Sequence, residues 1–328
     1  MEFRRRSRCC ASGGDVGTAA HRIGAVRNQA EQRAALVAML RQPGARWSEI
    51  TDEVLDSGDA IEVLRCRLGE GGLFPVADAG AMLDDAAQLI AQWSTDGICF
   101  RTFLDDDYPA QLRDIREMPP VLFSRGTDAP DERAIAVVGT RRASERGIRI
   151  AEAVATDLAH REVTVVSGLA AGIDTAAHTA ALRAGGRTVA VIGTGIQRYY
   201  PAQNRELQDE IAAKGLVLSQ FWPDAAPTRQ SFPMRNAVMS GYSAATVVVE
   251  APWRSGARIQ ARLALQHGRP VVMPKELLEH DWAQEFATRP GVRVVGDLAE
   301  LLDVVEELIA MMSGALVPLT GIPGLADA

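Results

Sequence analysis

Cysteine is scarce in this 328-residue chain, and the four present, Cys9, Cys10, Cys66 and Cys99, have neither metal-ligand spacing nor a histidine cluster beside them. No metal site is therefore expected, and a reducing, cytoplasmic setting is. Long apolar runs are missing as well: none approaches the ~20 residues that a membrane-spanning helix needs, so no membrane partner is expected. Arg4-Arg-Arg-Ser-Arg8 imitates the charged start of an export signal, but Cys-Cys-Ala-Ser-Gly-Gly-Asp follows where the apolar region belongs. A phosphate-loop lysine is also lacking. Gly193-Thr-Gly195 opens like a dinucleotide fingerprint, yet Arg198 stands at the third glycine position and no acidic residue ends the next strand. Neither nicotinamide nor any other cofactor is expected.

What the chain does have is a repeated pattern of apolar, β-branched run, glycine turn and helix. Ala134-Ile-Ala-Val-Val-Gly-Thr-Arg-Arg-Ala-Ser144 carries it once, and Val163-Thr-Val-Val-Ser-Gly-Leu-Ala-Ala-Gly-Ile-Asp-Thr-Ala-Ala-His178 carries it again. At such a turn a buried strand ends, glycine lets the backbone bend tightly, and the next helix presents unpaired N–H groups and its positive dipole end to an anion. Two in succession predict a phosphate-holding surface. Arg141 and Arg142 add guanidinium forks suited to phosphate oxygens. Asp174 is expected to cap the second helix, with His178 one turn later on the same face.

These turns sit in a longer alternation. Apolar strands at 135–138, 163–166, 188–192, 215–218, 245–249 and 270–273 alternate with helical stretches near 145–159, 174–184, 203–213, 235–241 and 255–267. That order predicts a doubly wound α/β domain, a mainly parallel sheet with helices on both faces, whose ligands sit outside the carboxyl ends of the strands. Before it, helical spacing from about Arg33 to Leu68, broken at Gly44 and Ser57-Gly58, and again from Ala81 to Trp93, predicts a small helical domain. A strand is expected within 97–103, and an irregular connection from Tyr108-Pro109 to Gly126. The expected divisions are a loose tail at 1–20, the helical domain at 21–100, the Rossmann-like domain at 101–312 and a C-terminal tail at 313–328. One more amphipathic helix is expected at 297–311.

Charge follows the same divisions. Residues 1–134 carry 16 Lys and Arg against 22 Asp and Glu, residues 135–300 carry 19 against 16, and residues 301–328 carry none against 4. The glycine-turn region alone is net basic, by +3 within a chain of net −7. Because salt confines surface charge effects to about 10 Å, a local basic groove on an acidic protein still attracts a polyanion.

Several further segments join the two turns: Asp107-Tyr-Pro-Ala-Gln-Leu112, Pro119-Pro120, Gly193-Thr-Gly-Ile-Gln-Arg-Tyr-Tyr-Pro-Ala-Gln-Asn204, Phe232-Pro-Met-Arg-Asn236, Ser240-Gly241, Val249-Glu-Ala251 and Ser255-Gly256. In this order and spacing the chain resembles the DNA-processing protein A family (DprA/Smf) over about 170 residues. The resemblance implies a single-stranded-DNA-binding protein, not an enzyme, that protects incoming DNA and loads a RecA-type recombinase in transformation and recombination, as a homodimer. Turns and resemblance together give the DNA- and phosphate-binding set Gly139, Thr140, Arg141, Arg142, Ser144, Ser167, Gly168, Ala170, Gly172, Asp174, His178, Gly193, Gly195, Phe232, Arg235, Asn236, Ser255 and Gly256. Within it, Phe232 offers a face for a base while Arg235, at a helix start, offers a cation for a phosphate.

The chain departs from the family pattern at Gln197, Gln220, Ala237, Gln260 and Lys275, all expected in ligand-facing loops. Ala237 replaces a second cation, so Ala237→Arg is expected to tighten DNA binding, with Arg229, Arg254 and Arg258 as neighbouring compensation. The alternative to DNA binding is a Rossmann-like hydrolase of a nucleotide or nicotinamide derivative, for which Glu250, at a strand end, is the candidate acid or base.

Overall fold

The computed structural model describes residues 29–69 and 78–315. The expected tail at 1–20 lies outside the described residues, as does the C-terminal tail beyond Ala315. The chain divides into two compact units, Met1–Tyr108 and Pro109–Ala328.

The first unit is helical. α1 (Gln29–Leu40) buries every residue from Ala34 to Leu40, which makes it the central helix rather than an amphipathic surface one. α2 (Trp47–Ser57), α3 (Ala60–Leu68) and α4 (Ala79–Thr95) complete the unit. Asp59 caps α3, accepting from the Ile61 and Glu62 amides at 2.8 and 3.1 Å. The strand β1 (Cys99–Thr102) follows, with Phe100 packed 5.1 Å from Trp93 of α4. Residues 101–108 belong to this unit, whereas the sequence reading placed them in the next one. Asp105 is the reason: its buried carboxylate accepts from Arg33 Nε at 2.7 Å, Gln29 Nε2 at 2.8 Å and the Thr102 amide at 2.7 Å.

The second unit is the doubly wound α/β fold. It opens with the short α5 (Ala110–Arg113) and β2 (Val121–Gly126). β3 (Ala134–Gly139), α6 (Glu145–His160), β4 (Thr164–Ser167), α7 (Ile173–Arg183), β5 (Thr188–Val191), α8 (Arg205–Lys214) and β6 (Leu216–Ser219) wind in one direction. α9 (Ser231–Tyr242), β7 (Ala245–Glu250), α10 (Gly256–Gln266), β8 (Val271–Pro274), α11 (Asp281–Ala287), β9 (Val292–Val295) and α12 (Leu298–Ala315) wind in the other. The strands lie in the order β2-β6-β5-β4-β3-β7-β8-β9, parallel throughout except that β2 runs antiparallel to β6. Ile135, Val137, Val165 and Val247 pack against Val154, Leu158, Ile173 and Ala177 of α6 and α7, and Leu301 and Val305 of α12 join them. α9 and α10 cover β3, β5 and β7 from the opposite face.

One ion network pins the amino ends of these strands. Asp131 is buried and accepts from both Arg187 Nε and Nη2, at 2.7 and 2.9 Å, and from the Tyr242 and Thr164 hydroxyls, each at 2.7 Å. A carboxylate so fully satisfied fixes β4, β5 and the end of α9 in one arrangement.

Candidate nucleic-acid interface

β3 lies between β4 and β7. The chain leaving β3 enters α6 on one face of the sheet, and the chain leaving β7 enters α10 on the other. This divergence is a topological switch point, where open α/β sheets leave a crevice at the carboxyl ends of the strands. Here it is a cavity of about 560 Å³.

Arg235 forms the floor. α9 begins at Ser231, with Pro233 in its first turn where a missing N–H is tolerated, so Arg235 lies a turn inside the helix and not at its start. Its side chain is 5% exposed, and its guanidinium donates to the carbonyls of Gly168 and of Val191, the latter at 2.7 Å. Nε donates to Asn236 Oδ1 at 3.0 Å. A Cβ on Gly168 would collide with that guanidinium, so glycine is required there by close approach. Burial lowers the Arg235 pKa to about 10, with Asp174 opposing the fall and Arg141 adding to it.

Asp174 does not cap α7. Gly172 holds that position with φ at 83°, a conformation that favours glycine. Asp174 is the second residue of the helix, and its carboxylate reaches back to the amides of Gly168 at 3.1 Å and Ala170 at 3.3 Å. Burial raises its pKa, while Arg235 and these amides pull it down. The first turn is filled in the same way. Glu250, at the end of β7, accepts from the Ser144 amide at 3.1 Å and from the Ser144 hydroxyl at 2.8 Å. Ser144 in turn caps α6 by accepting from the Gly147 amide at 3.0 Å. Both helix starts that the sequence offered to an external anion therefore carry a carboxylate of the chain itself.

Unpaired charge is found on the rim. Arg141 and Arg142 are exposed, and neither forms an ion pair among the described residues. The Arg141 guanidinium stands 5.1 Å from the centroid of the Phe232 ring, whose other neighbour is Tyr200 at 5.5 Å. Gly193 lies directly beneath that ring. Thr140 Oγ1 accepts from the Arg142 amide at 3.2 Å, holding the Arg-Arg turn. Across the cavity Ser255 caps α10 through the Ala257 amide at 3.2 Å, and Gly256 and Arg254 are exposed beside it.

The structure thus brings Gly139, Thr140, Arg141, Arg142, Ala170, Asp174, Phe232, Arg235, Asn236, Ser255 and Gly256 around one cavity. Ser144, Ser167, Gly168, Gly172, His178, Gly193 and Gly195 are not among its lining residues. Ser167 is buried with its hydroxyl on the Val137 carbonyl at 2.6 Å, and Gly195 backs onto the carbonyls of Trp222 and Pro223. His178 is fully buried. Its Nδ1 lies 2.7 Å from Thr188 Oγ1, whose own proton goes to the Val165 carbonyl at 2.7 Å, so Nδ1 is the protonated nitrogen. Burial, reinforced by Arg235, lowers its pKa to about 3. Sequence reasoning missed Pro252, Met239 and Ile259, which supply apolar wall. It also missed the ring contact of Tyr200 with Phe232.

A family model described as DNA recombination-mediator protein A matches residues 99–313, well over half of the chain. The chain belongs to this family. All the residues around the cavity lie within the matched span. DNA processing protein DprA of Streptococcus pneumoniae is 39% identical over 237 residues, 71% of this chain and 80% of that one. Protein Smf of Synechocystis is 44% identical over 177 residues, 52% of this chain but only 44% of the relative. The solved pneumococcal DprA structure matches with a TM-score of 0.61 at 31% identity, covering 84% of this chain and 95% of its own. A Helicobacter pylori DprA structure, described for its single-stranded DNA binding mode, shares the fold with a TM-score of 0.56 at 24% identity over 63% of this chain and 96% of its own.

In this member of the recombination-mediator family, the departures from pattern are not all in ligand-facing loops. Ala237 is 2% exposed inside α9 and does not line the cavity. Gln260 stands in α10 at the cavity wall, its amide oriented to donate to the Asn236 carbonyl at 2.9 Å and accept from the Ser240 amide at 3.2 Å. Gln220 is buried, whereas Gln197 and Lys275 are exposed.

Proposed function

We propose that this protein binds single-stranded DNA in the cavity at the β3–β7 switch point, without catalysing a reaction on it. The observation that carries this reading is the rim: Arg141 and Arg142 are two guanidiniums without carboxylate partners lining the cavity, and Arg141 stands over a half-buried Phe232 ring. A base stacked near Phe232 with its phosphates on these arginines is the pairing of aromatic platform and cationic groove that single strands use. Family membership supports a role in recombination, and the H. pylori relative supports the single-stranded ligand. By the same family resemblance we propose that the strand is handed to a RecA-type recombinase by a homodimer, in the cytoplasm. Two copies would join two short tracks and raise apparent affinity through effective concentration.

The hydrolase alternative draws no support from Glu250, whose carboxylate is held by Ser144 at a helix start. Ser240, His267 and Glu117 are linked at 2.8 and 2.8 Å, but the serine is fully buried. The test is fluorescence anisotropy with single-stranded DNA, duplex DNA, ATP and NAD in parallel. Preference for the single strand is expected, and tighter binding of free nucleotide would overturn the reading.

A further inference from the structure

A second cavity, of about 430 Å³, adjoins the first and shares Arg254, Ser255, Gly256 and Ile259 with it. Its chemistry repeats that of the rim with larger rings. Trp253 is 63% exposed, the most exposed large apolar side chain among the described residues. It is nevertheless held: the Arg258 guanidinium stands 4.1 Å from the indole centroid and donates to the Trp253 carbonyl. Arg258 is itself braced 5.1 Å from the ring of Trp282, and Trp282 Nε1 donates to the Ala251 carbonyl at 3.0 Å. Trp253 is thus backed by a cation on one side and open to solvent on the other. Arg254 and Arg262 flank it, and neither forms an ion pair among the described residues. Glu285, the one acid lining this cavity, is engaged by Arg289 at 3.4 Å.

We propose that this second cavity is a further nucleotide subsite, in which one unstacked base lies on the open face of Trp253 and Arg254 and Arg262 take the flanking phosphates. The inference rests on the single-strand reading and extends its track along the amino end of α10. A duplex would keep its bases stacked on one another and unavailable to the indole, whereas a single strand exposes them. Continuity with the first cavity and an excess of unpaired guanidinium both favour a nucleic acid over a neutral apolar partner.

The experiment compares wild type, Trp253→Ala and Phe232→Ala on thymidine oligonucleotides of about 4 and about 20 nucleotides, with circular dichroism to verify folding. Trp253 is a surface side chain, so its removal is expected to leave the fold intact. Trp253→Ala should weaken the long strand by about tenfold and the short strand much less, because stacking on the second platform requires a strand that continues past the first. Trp253→Phe should restore most of the loss, and the fluorescence quenching that accompanies binding should fall in that variant. If Trp253→Ala binds the long strand like wild type while Phe232→Ala weakens it, the second subsite is overturned and the first reading stands. If no variant, and not wild type either, prefers single-stranded DNA, both are overturned. Equal, Trp253-dependent binding of a poly-glutamate peptide would instead make this an acidic-protein surface.

Discussion

Arg235 illustrates why a residue's type and its neighbours in sequence do not fix its task. As a cation at an expected helix start it reads as a phosphate ligand, yet its Nη1 is committed to the Gly168 and Val191 carbonyls, its Nε to Asn236, and its charge offsets Asp174. Arg235→Ala would leave the buried Gly168 and Val191 carbonyls without their donor and remove the cation that offsets Asp174, and each buried acceptor left unpaired costs about 1–3 kcal/mol. Urea unfolding should register that loss, so weakened DNA binding in this variant would report misfolding of the floor. Ala237→Arg reverses the sequence expectation for the same reason. Position 237 is buried in α9, so the added guanidinium would be forced into apolar packing, and the variant should lose stability without gaining affinity.

His178 gives the residue scale a pH signature. Its pKa is about 3 in the fold and near 6.5 in an unfolded chain, so the unfolded state binds the extra proton first. The stability that neutral His178 contributes is complete above about pH 6.5 and is lost as pH falls toward about 3. The urea midpoint should therefore drop between about pH 7 and about pH 5, and drop less in His178→Gln. An identical drop in both proteins would assign the acid sensitivity to other groups.

Among the elements, the regular part of the fold was legible because buried parallel strands read as apolar runs and their helices begin at polar caps such as Ser144 and Ser255. Four elements were not, the short α5 among them. β2 followed Pro119-Pro120 and ran antiparallel at one end of the parallel order, so it carried no βα signature. β9 is short, half-exposed and interrupted by Arg293, and α11 spans only Asp281–Ala287. The helix starts were legible as anion sites in kind but not in occupant. Nothing local to Ser144 reveals that Glu250, more than a hundred positions later, fills its helix start, because register across β3 and β7 brings them together. Glu250→Gln should cost about 1 kcal/mol through the weakened interaction with α6, and leave DNA affinity unchanged. Nucleotide hydrolysis by wild type that vanishes in this variant would contradict that assignment.

Taken as a molecule, the protein is acidic, yet Lys214 and Lys275 are its only lysines among 35 cationic side chains. The basic surface is consequently an arginine surface, suited to planar stacking on Phe232, Trp253 and bases as well as to phosphate. The candidate site was half legible at this scale: the residues that line the cavity were found largely from strand ends, whereas nothing in the sequence marked Trp253 before the fold set Arg258 against its ring and Trp282 against Arg258.

On the proposed reading, exposed guanidiniums at the switch point, and not the occupied helix starts, hold the phosphates of a single strand. Its most direct test is the salt dependence of single-strand affinity for wild type beside the double variant Arg141→Ala, Arg142→Ala, with unfolding curves verifying that both are folded. Wild-type affinity should fall with salt at a log–log slope of about −0.7 for each phosphate neutralised, and the double variant should bind more weakly with a slope shallower by about one to two such increments. A double variant that folds normally and keeps both the affinity and the slope of wild type would place the phosphates elsewhere.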